Sequence, residues 1–198
     1  MKIESHVPHA PPTVAIHRKP GVSMSLKDFA DEYTRYRTMG EKAIAQVSDD
    51  GLNRILAPNG NSIAMIVHHV GGNLASRFTD FLTTDGEKPW RDRDSEFADG
   101  PFTRTQVLQI WNNGFRALEA ALASLTDADT TRTVTIRGVP LTVHEALCRS
   151  LAHTANHVGQ IILLARIVAQ NEWQWISIPK GRSAEYNANP VHEKGSAR

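Results

Sequence analysis

Cysteine is almost missing from this 198-residue chain: Cys148 is the single one, which excludes an internal disulfide framework and fits a reducing compartment. Charge of one sign is missing too. Twenty-two Lys and Arg stand against 21 Asp and Glu, a net charge of +1, so no global field draws the protein onto nucleic acid or an anionic membrane. No apolar run approaches the roughly 20 residues of a membrane-spanning helix. The opening segment MKIESHVPHAPPTVAIHRKPGVS has charges and prolines where a secretory signal needs an apolar core. Internal repeats and low-complexity tracts are absent as well. What is left is a cytoplasmic chain of one domain, long enough to bury a core without staples.

Helical punctuation dominates what is present. Pro8, Pro11, Pro12 and Pro20 mark residues 1–24 as an extended arm. Ser25 with Asp28 forms a capping box for a first helix at about 26–47, with Phe29, Tyr33, Tyr36, Ala43, Ile44 and Val47 at helical spacing. After the break at Pro58-Asn59-Gly60, Asn61 or Ser62 caps a second helix at about 62–83, striped by Ile63, Ile66, Val67, Val70, Leu74, Phe78 and Phe81. A polar column of His69, Asn73, Ser76 and Asp80 runs beside that stripe. The segment TTDGEKPWRDRDSEFADGP is longer than a compact domain usually carries without a function, and reads either as a solvated crossover or as a functional loop. Thr103 with Gln106 opens a third helix at about 104–125, and Thr142 with Glu145 opens a fourth at about 143–170. Between them TRTVTIRGVPLT alternates like a short hairpin turning at Arg137-Gly138. The expected architecture is all-α, an antiparallel four-helix bundle with a small hairpin before the last helix. The domain spans 25–187, and residues 188–198 form a flexible tail.

The chemistry sits on the fourth helix, where His153 and His157 lie one turn apart and stack on one face. The seam 146, 150, 153, 157, 161, 164 turns both inward among Ala146, Ile161 and Leu164. An imidazole there must be hydrogen-bonded or bound to metal. His69 is the third candidate ligand; its neighbour His68 points about 100° away, so only one of the two faces the pair. Three protein ligands leave a position open, as in catalytic zinc sites. HTANH lacks the glutamate of HExxH, which removes the base a metalloprotease needs. Cys148, about 140° round the helix from His153, reads as an ordinary buried thiol. His6, His9, His17, His144 and His192 read as solvated.

The segments NSIAMIVHHVGGNLASRFTDFLTTDGEKPWRDRDSEF, LCRSLAHTANHVGQIILLARI and WQWISIPKGRSAEYN together resemble the DinB/YfiT-like superfamily, in a branch classed as a domain of unknown function. The resemblance runs over about residues 25–187. It rests on a histidine in the middle of the second helix, which falls on His69 and selects it over His68, and on an HxxxH pattern followed by Val158-Gly159-Gln160. It implies a four-helix bundle, commonly a homodimer, holding a divalent ion such as zinc or nickel through His69, His153 and His157. Characterised relatives include transferases and isomerases dependent on bacillithiol, mycothiol or glutathione, while many members have no known reaction.

The leading expectation is therefore a metal-dependent enzyme that transfers a low-molecular-weight thiol to an electrophilic small molecule. A metal-dependent hydrolase and a non-enzymatic, metal-binding dimeric protein are the alternatives. Asn73 and Arg77, one and two turns along from His69, are candidate pocket groups, with bundle hydrogen bonding or a surface ion pair as their plainer role. Trp173 and Trp175 are expected to anchor the C-terminal segment. Lys180 and Arg182 in SIPKGRS are expected near the pocket mouth, against an anionic part of the substrate.

Overall fold

The computed structural model describes residues 25–98 and 100–190. The N-terminal arm, the end of the tail, and with them His6, His9, His17 and His192 lie outside the described residues. The elements run α1 (Leu26–Ile44), α2 (Asp49–Asn53), α3 (Ile63–Phe78), α4 (Arg104–Ala123), β1 (Thr133–Ile136), β2 (Val139–Thr142), α5 (Val143–Ala169) and α6 (Ser183–Ala188). The architecture is mostly helical with one small antiparallel sheet. Ser25, Thr103 and Thr142 each form the reciprocal capping box with Asp28, Gln106 and Glu145, and Ser62 rather than Asn61 opens α3.

Two helices end earlier than their apolar patterns suggest. The first stops at Ile44; Ser48 accepts from the Gly51 N–H and starts the separate α2, while Val47 stays buried between them. The second stops at Phe78, because Asp80 takes a left-handed conformation (φ 49°) and its carbonyl accepts from the N–H groups of Thr83 and Thr84. Asp80 is thus off the polar column, of which His69 and Ser76 are buried.

Packing pairs α3 with α4 and α1 with α5, and joins the pairs through α3 with α5 and α1 with α4. The core between them holds Phe29 and Ile44 of α1, Val67, Val70 and Leu74 of α3, Trp111, Phe115 and Leu118 of α4, and Leu147, Val158 and Ile161 of α5. Each such side chain stabilises by about 1.5–3 kcal/mol when fully buried. The α3–α4 contact is close because Gly71 and Gly114 meet: a Cβ on Gly114 would lie 2.7 Å from the Gly71 backbone. At the C-terminal end Trp173 and Ile176 pack on the core. Trp175 does not anchor as expected; it is 43% exposed, with the Arg166 guanidinium 4.5 Å over its ring. No helix among the described residues is long and apolar enough to cross a membrane.

Candidate metal centre

The inward stripe of α5 is rotated slightly from the expected seam. Leu147, Ser150, Thr154, Val158, Ile161 and Ala165 are buried, so His153 and His157 stand half-buried on its flank. There they meet His69 of α3, which is 5% exposed. His69 Nε2 lies 3.1 Å from His153 Nε2, the three rings are 4.5–5.1 Å apart, and one nitrogen from each residue falls within 4.8 Å of the others. His68 is turned away against the Phe102 ring.

Neighbouring groups fix the ring orientations. His69 Nδ1 is 2.9 Å from Glu96 Oε2; a carboxylate can only accept, so Nδ1 carries the proton and Nε2 presents its lone pair. His157 Nδ1 is 3.0 Å from Gln160 Oε1, which leaves its Nε2 free in the same way. His153 Nδ1 is buried without a hydrogen-bond partner among the described residues. Burial first, then the neighbouring His157 and His69, push the His153 pKa down to about 4, and burial lowers His157 also. Neutral imidazole is the form that binds metal. Nitrogens about 2.0–2.1 Å from a tetrahedral ion lie roughly 3.3 Å apart, close to the His69–His153 spacing. The residues present fit a divalent ion.

Glu96 was not among the residues singled out in the sequence. It lies in a short 3-10 turn at Ser95–Phe97 within the long segment after α3, and is 3% exposed. Arg91 donates to both its oxygens, Nε to Oε1 at 2.7 Å and Nη2 to Oε2 at 2.9 Å. Burial works against the Glu96 charge, but the hydrogen bonds from His69 and Arg91 outweigh it and hold the carboxyl below its usual range. The carboxylate rests on Gly72, where a Cβ would lie 2.3 Å from Oε1. The consecutive glycines of α3 therefore serve two contacts, Gly71 the neighbouring helix and Gly72 the carboxylate. The unusual length of the loop and the Gly-Gly pair two and three residues past His69 were the available signals.

His69 and His153 open onto a cavity of about 170 Å³ that Asn73 and Arg77 also line. Arg77 donates to the Gly86 carbonyl and to Glu87 Oε2, tying α3 to the loop. Lys180 and Arg182 are exposed and are not among the lining residues, and Arg182 pairs with Glu185. Cys148 is exposed rather than buried: position 148 lies outside both the expected seam and the observed stripe of α5, and only its residue type suggested burial; its Sγ lies 3.5 Å from His144 Nε2. His144 is half-buried, not solvated, with its ring edge-on to Phe29 at 5.5 Å.

A family model described as "Protein of unknown function (DUF1572)" matches residues 22–182. No curated protein matches the chain. Among solved structures the chain is similar to a DinB-like protein from Bacillus cereus ATCC 10987, at 17% identity and a TM-score of 0.60, over 76% of this chain and 97% of that one. At that identity the likeness is one of fold.

Proposed function

Because the chain belongs to the DUF1572 family, whose description names no reaction, we propose its function from its own site: a divalent-metal-dependent enzyme that transfers a low-molecular-weight thiol to an electrophilic small molecule. One observation carries the reading. Three imidazoles converge, two of them, His69 and His153, lining a cavity, and among the described residues no fourth His, Cys, Asp or Glu joins them. A structural ion has a closed four-ligand shell; an open one admits substrate. Zinc and nickel both suit imidazole.

His69, His153 and His157 are the proposed ligands, and an ion bound there supplies a Lewis acid that lowers the pKa of a thiol reaching its open side. Glu96 and Gln160 hold the rings of His69 and His157 in the ligating orientation. Asn73 and Arg77 present an amide and a guanidinium to the cavity. Water-activating hydrolysis finds less support. Glu96 has both oxygens engaged, and no carboxylate lines the cavity among the described residues, so no base is at hand.

We read the helices as a closed antiparallel four-helix bundle, supported by the ring of contacts α1–α5–α3–α4–α1. A homodimer is supported by Leu163 and Ile167, 58% and 50% exposed one turn apart on α5. Light scattering on the parent and on Leu163→Glu tests it, a monomeric parent being the adverse result. For the site, elemental analysis should find about one divalent ion per chain, as a three-histidine site takes, and none in His153→Ala. In cobalt-substituted protein, glutathione, bacillithiol or mycothiol should bring up a thiolate-to-cobalt charge-transfer band. Full metal content with no spectral response to any thiol would keep the metal and remove the thiol.

A further inference from the structure

Five arginines line the cavity beside the histidines: Arg77, Arg91, Arg93, Arg137 and Arg149. No Asp or Glu is among the described residues that line it. Three of the five are answered by only two carboxylates. Arg91 is clamped to Glu96, while Arg77 and Arg137 share Glu87. Arg93 and Arg149 are exposed and form no ion pair among the described residues; Arg93 lies 5.4 Å over the Phe97 ring. A cleft walled by uncompensated guanidiniums concentrates anions. The lining also includes the apolar residues Phe78, Phe81 and Ile136.

The hairpin turn adds an independent observation. Arg137 and Gly138 both have positive φ, 54° and 71°, the geometry of a two-residue hairpin turn that favours Asn, Asp or Gly at its first position. Arginine has no conformational advantage there. Its side chain reaches the cavity lining, and the Asp85 carboxylate holds the turn in place by accepting from the N–H groups of Arg137 at 2.8 Å and Gly138 at 2.7 Å. A non-glycine residue with positive φ thus stands at a position that lines the cavity, with its Nε paired to Glu87.

We propose that this cavity binds a small organic anion, carboxylate or phosphate, whose oxyanion is held by Arg149, Arg93 and Arg137 while its apolar body lies on Phe78, Phe81 and Ile136. The planar guanidinium fork matches both oxyanions bidentately. At about 170 Å³ the space is smaller than the roughly 300–1,000 Å³ of drug-sized sites, which sets the ligand near the size of one substituted ring. The inference rests on the metal-enzyme reading for what the ligand's far end meets, the histidines; its charged end is held by this chain's own side chains.

Calorimetric titration with phenyl phosphate, benzoate and uncharged benzamide, on chelator-treated and on zinc-loaded protein, tests it. At least one anion should bind the metal-free protein ten times more tightly than benzamide does, and the tighter of the two names the oxyanion. Arg93→Ala with Arg149→Ala should weaken that anion at least tenfold while zinc content and thermal midpoint stay unchanged, both residues being exposed. Arg149→Lys should recover part of the loss. The same titration on His157→Ala repeats the metal-free measurement without chelator. Benzamide binding as well as the anions, an unaffected double variant, or anion binding confined to zinc-loaded protein would each overturn the proposal. Zinc uptake without anion binding removes the anion site alone, and anion binding without zinc uptake removes the metal site alone.

Discussion

The two walls of the site are made of different kinds of sequence. One is helical: α3 and α5 bring His69, His153 and His157 together, each at a position that the 3.6-residue period determines. The other is irregular: the segment between α3 and α4, with the hairpin behind it, supplies Glu96, Arg91, Arg93, Arg137 and Asp85. The helical wall carries the nitrogen donors, and rigid backbone sets their spacing. The irregular wall carries the charges that orient one donor and, with Arg77 of α3 and Arg149 of α5, line the cavity, and it is held by hydrogen bonds. Loss of a donor and loss of a support should therefore differ in size and in kind.

The largest effect belongs to the helical wall. His69→Ala or His157→Ala should abolish stoichiometric metal binding, read by elemental analysis, while His68→Ala, packed on Phe102, should leave it intact. Glu96→Gln comes next. The amide still accepts from His69, but the Arg91 charge, 2% exposed, loses its counter-charge. Metal affinity should fall about 10–100-fold, as outer-shell changes do. The metal-free protein should lose about 3 kcal/mol in denaturant unfolding, the scale of a broken buried pair. Equal losses of metal in Glu96→Gln and His157→Ala would erase the distinction between donor and support.

Adjacent glycines sharpen the contrast. A Cβ at Gly71 would lie 2.7 Å from the Ile110 backbone, so Gly71→Ala should cost about 1–3 kcal/mol of stability by overpacking the α3–α4 contact. At Gly72 the added carbon would meet Glu96 Oε1 instead. Gly72→Ala should weaken metal binding by about tenfold, in the range of outer-shell changes, with a smaller loss of stability. Thermal midpoint and zinc affinity, measured on both variants, separate the two. If both substitutions move only the midpoint, Glu96 does not act through its seat on α3.

The same contrast explains what was legible in the sequence. Capping boxes and apolar periods located the long helices, and a two-residue turn between alternating runs located the hairpin, because those signals are local. The histidines were legible because i and i+4 share a face. The rotation of α5 was not: its positions 146, 147, 150, 153, 154, 157 and 158 are small, apolar or histidine, so two neighbouring seams fit equally well until α1 and α3 select one. Cys148, outside either seam, was misplaced by its residue type, and His144 by its place at the helix start. Glu96 was hidden for a different reason. It stands among Asp85, Glu87, Asp92 and Asp94 in a stretch without period, and only the tertiary fold buries one of these acids against a histidine and an arginine.

The smallest effect tests how the irregular wall is held. Asp85 accepts from the N–H groups of Glu87, Arg137 and Gly138, joining the loop to the hairpin turn, and these backbone hydrogen bonds hold its carboxyl well below the usual carboxylate range. A carboxyl whose folded-state pKa is depressed contributes stability that is complete above its unfolded value, about 3.9, and is lost as pH falls toward the folded value. The stability gap between the parent and Asp85→Ala should therefore be flat above about pH 5 and shrink below about pH 4. Asp85 is partly exposed, which keeps the pH-dependent part near or below about 1 kcal/mol. Urea midpoints for both proteins between pH 3 and 7 check the sign. A gap that widens on acidification would mean that the protonated carboxyl, not the carboxylate, joins the loop to the turn.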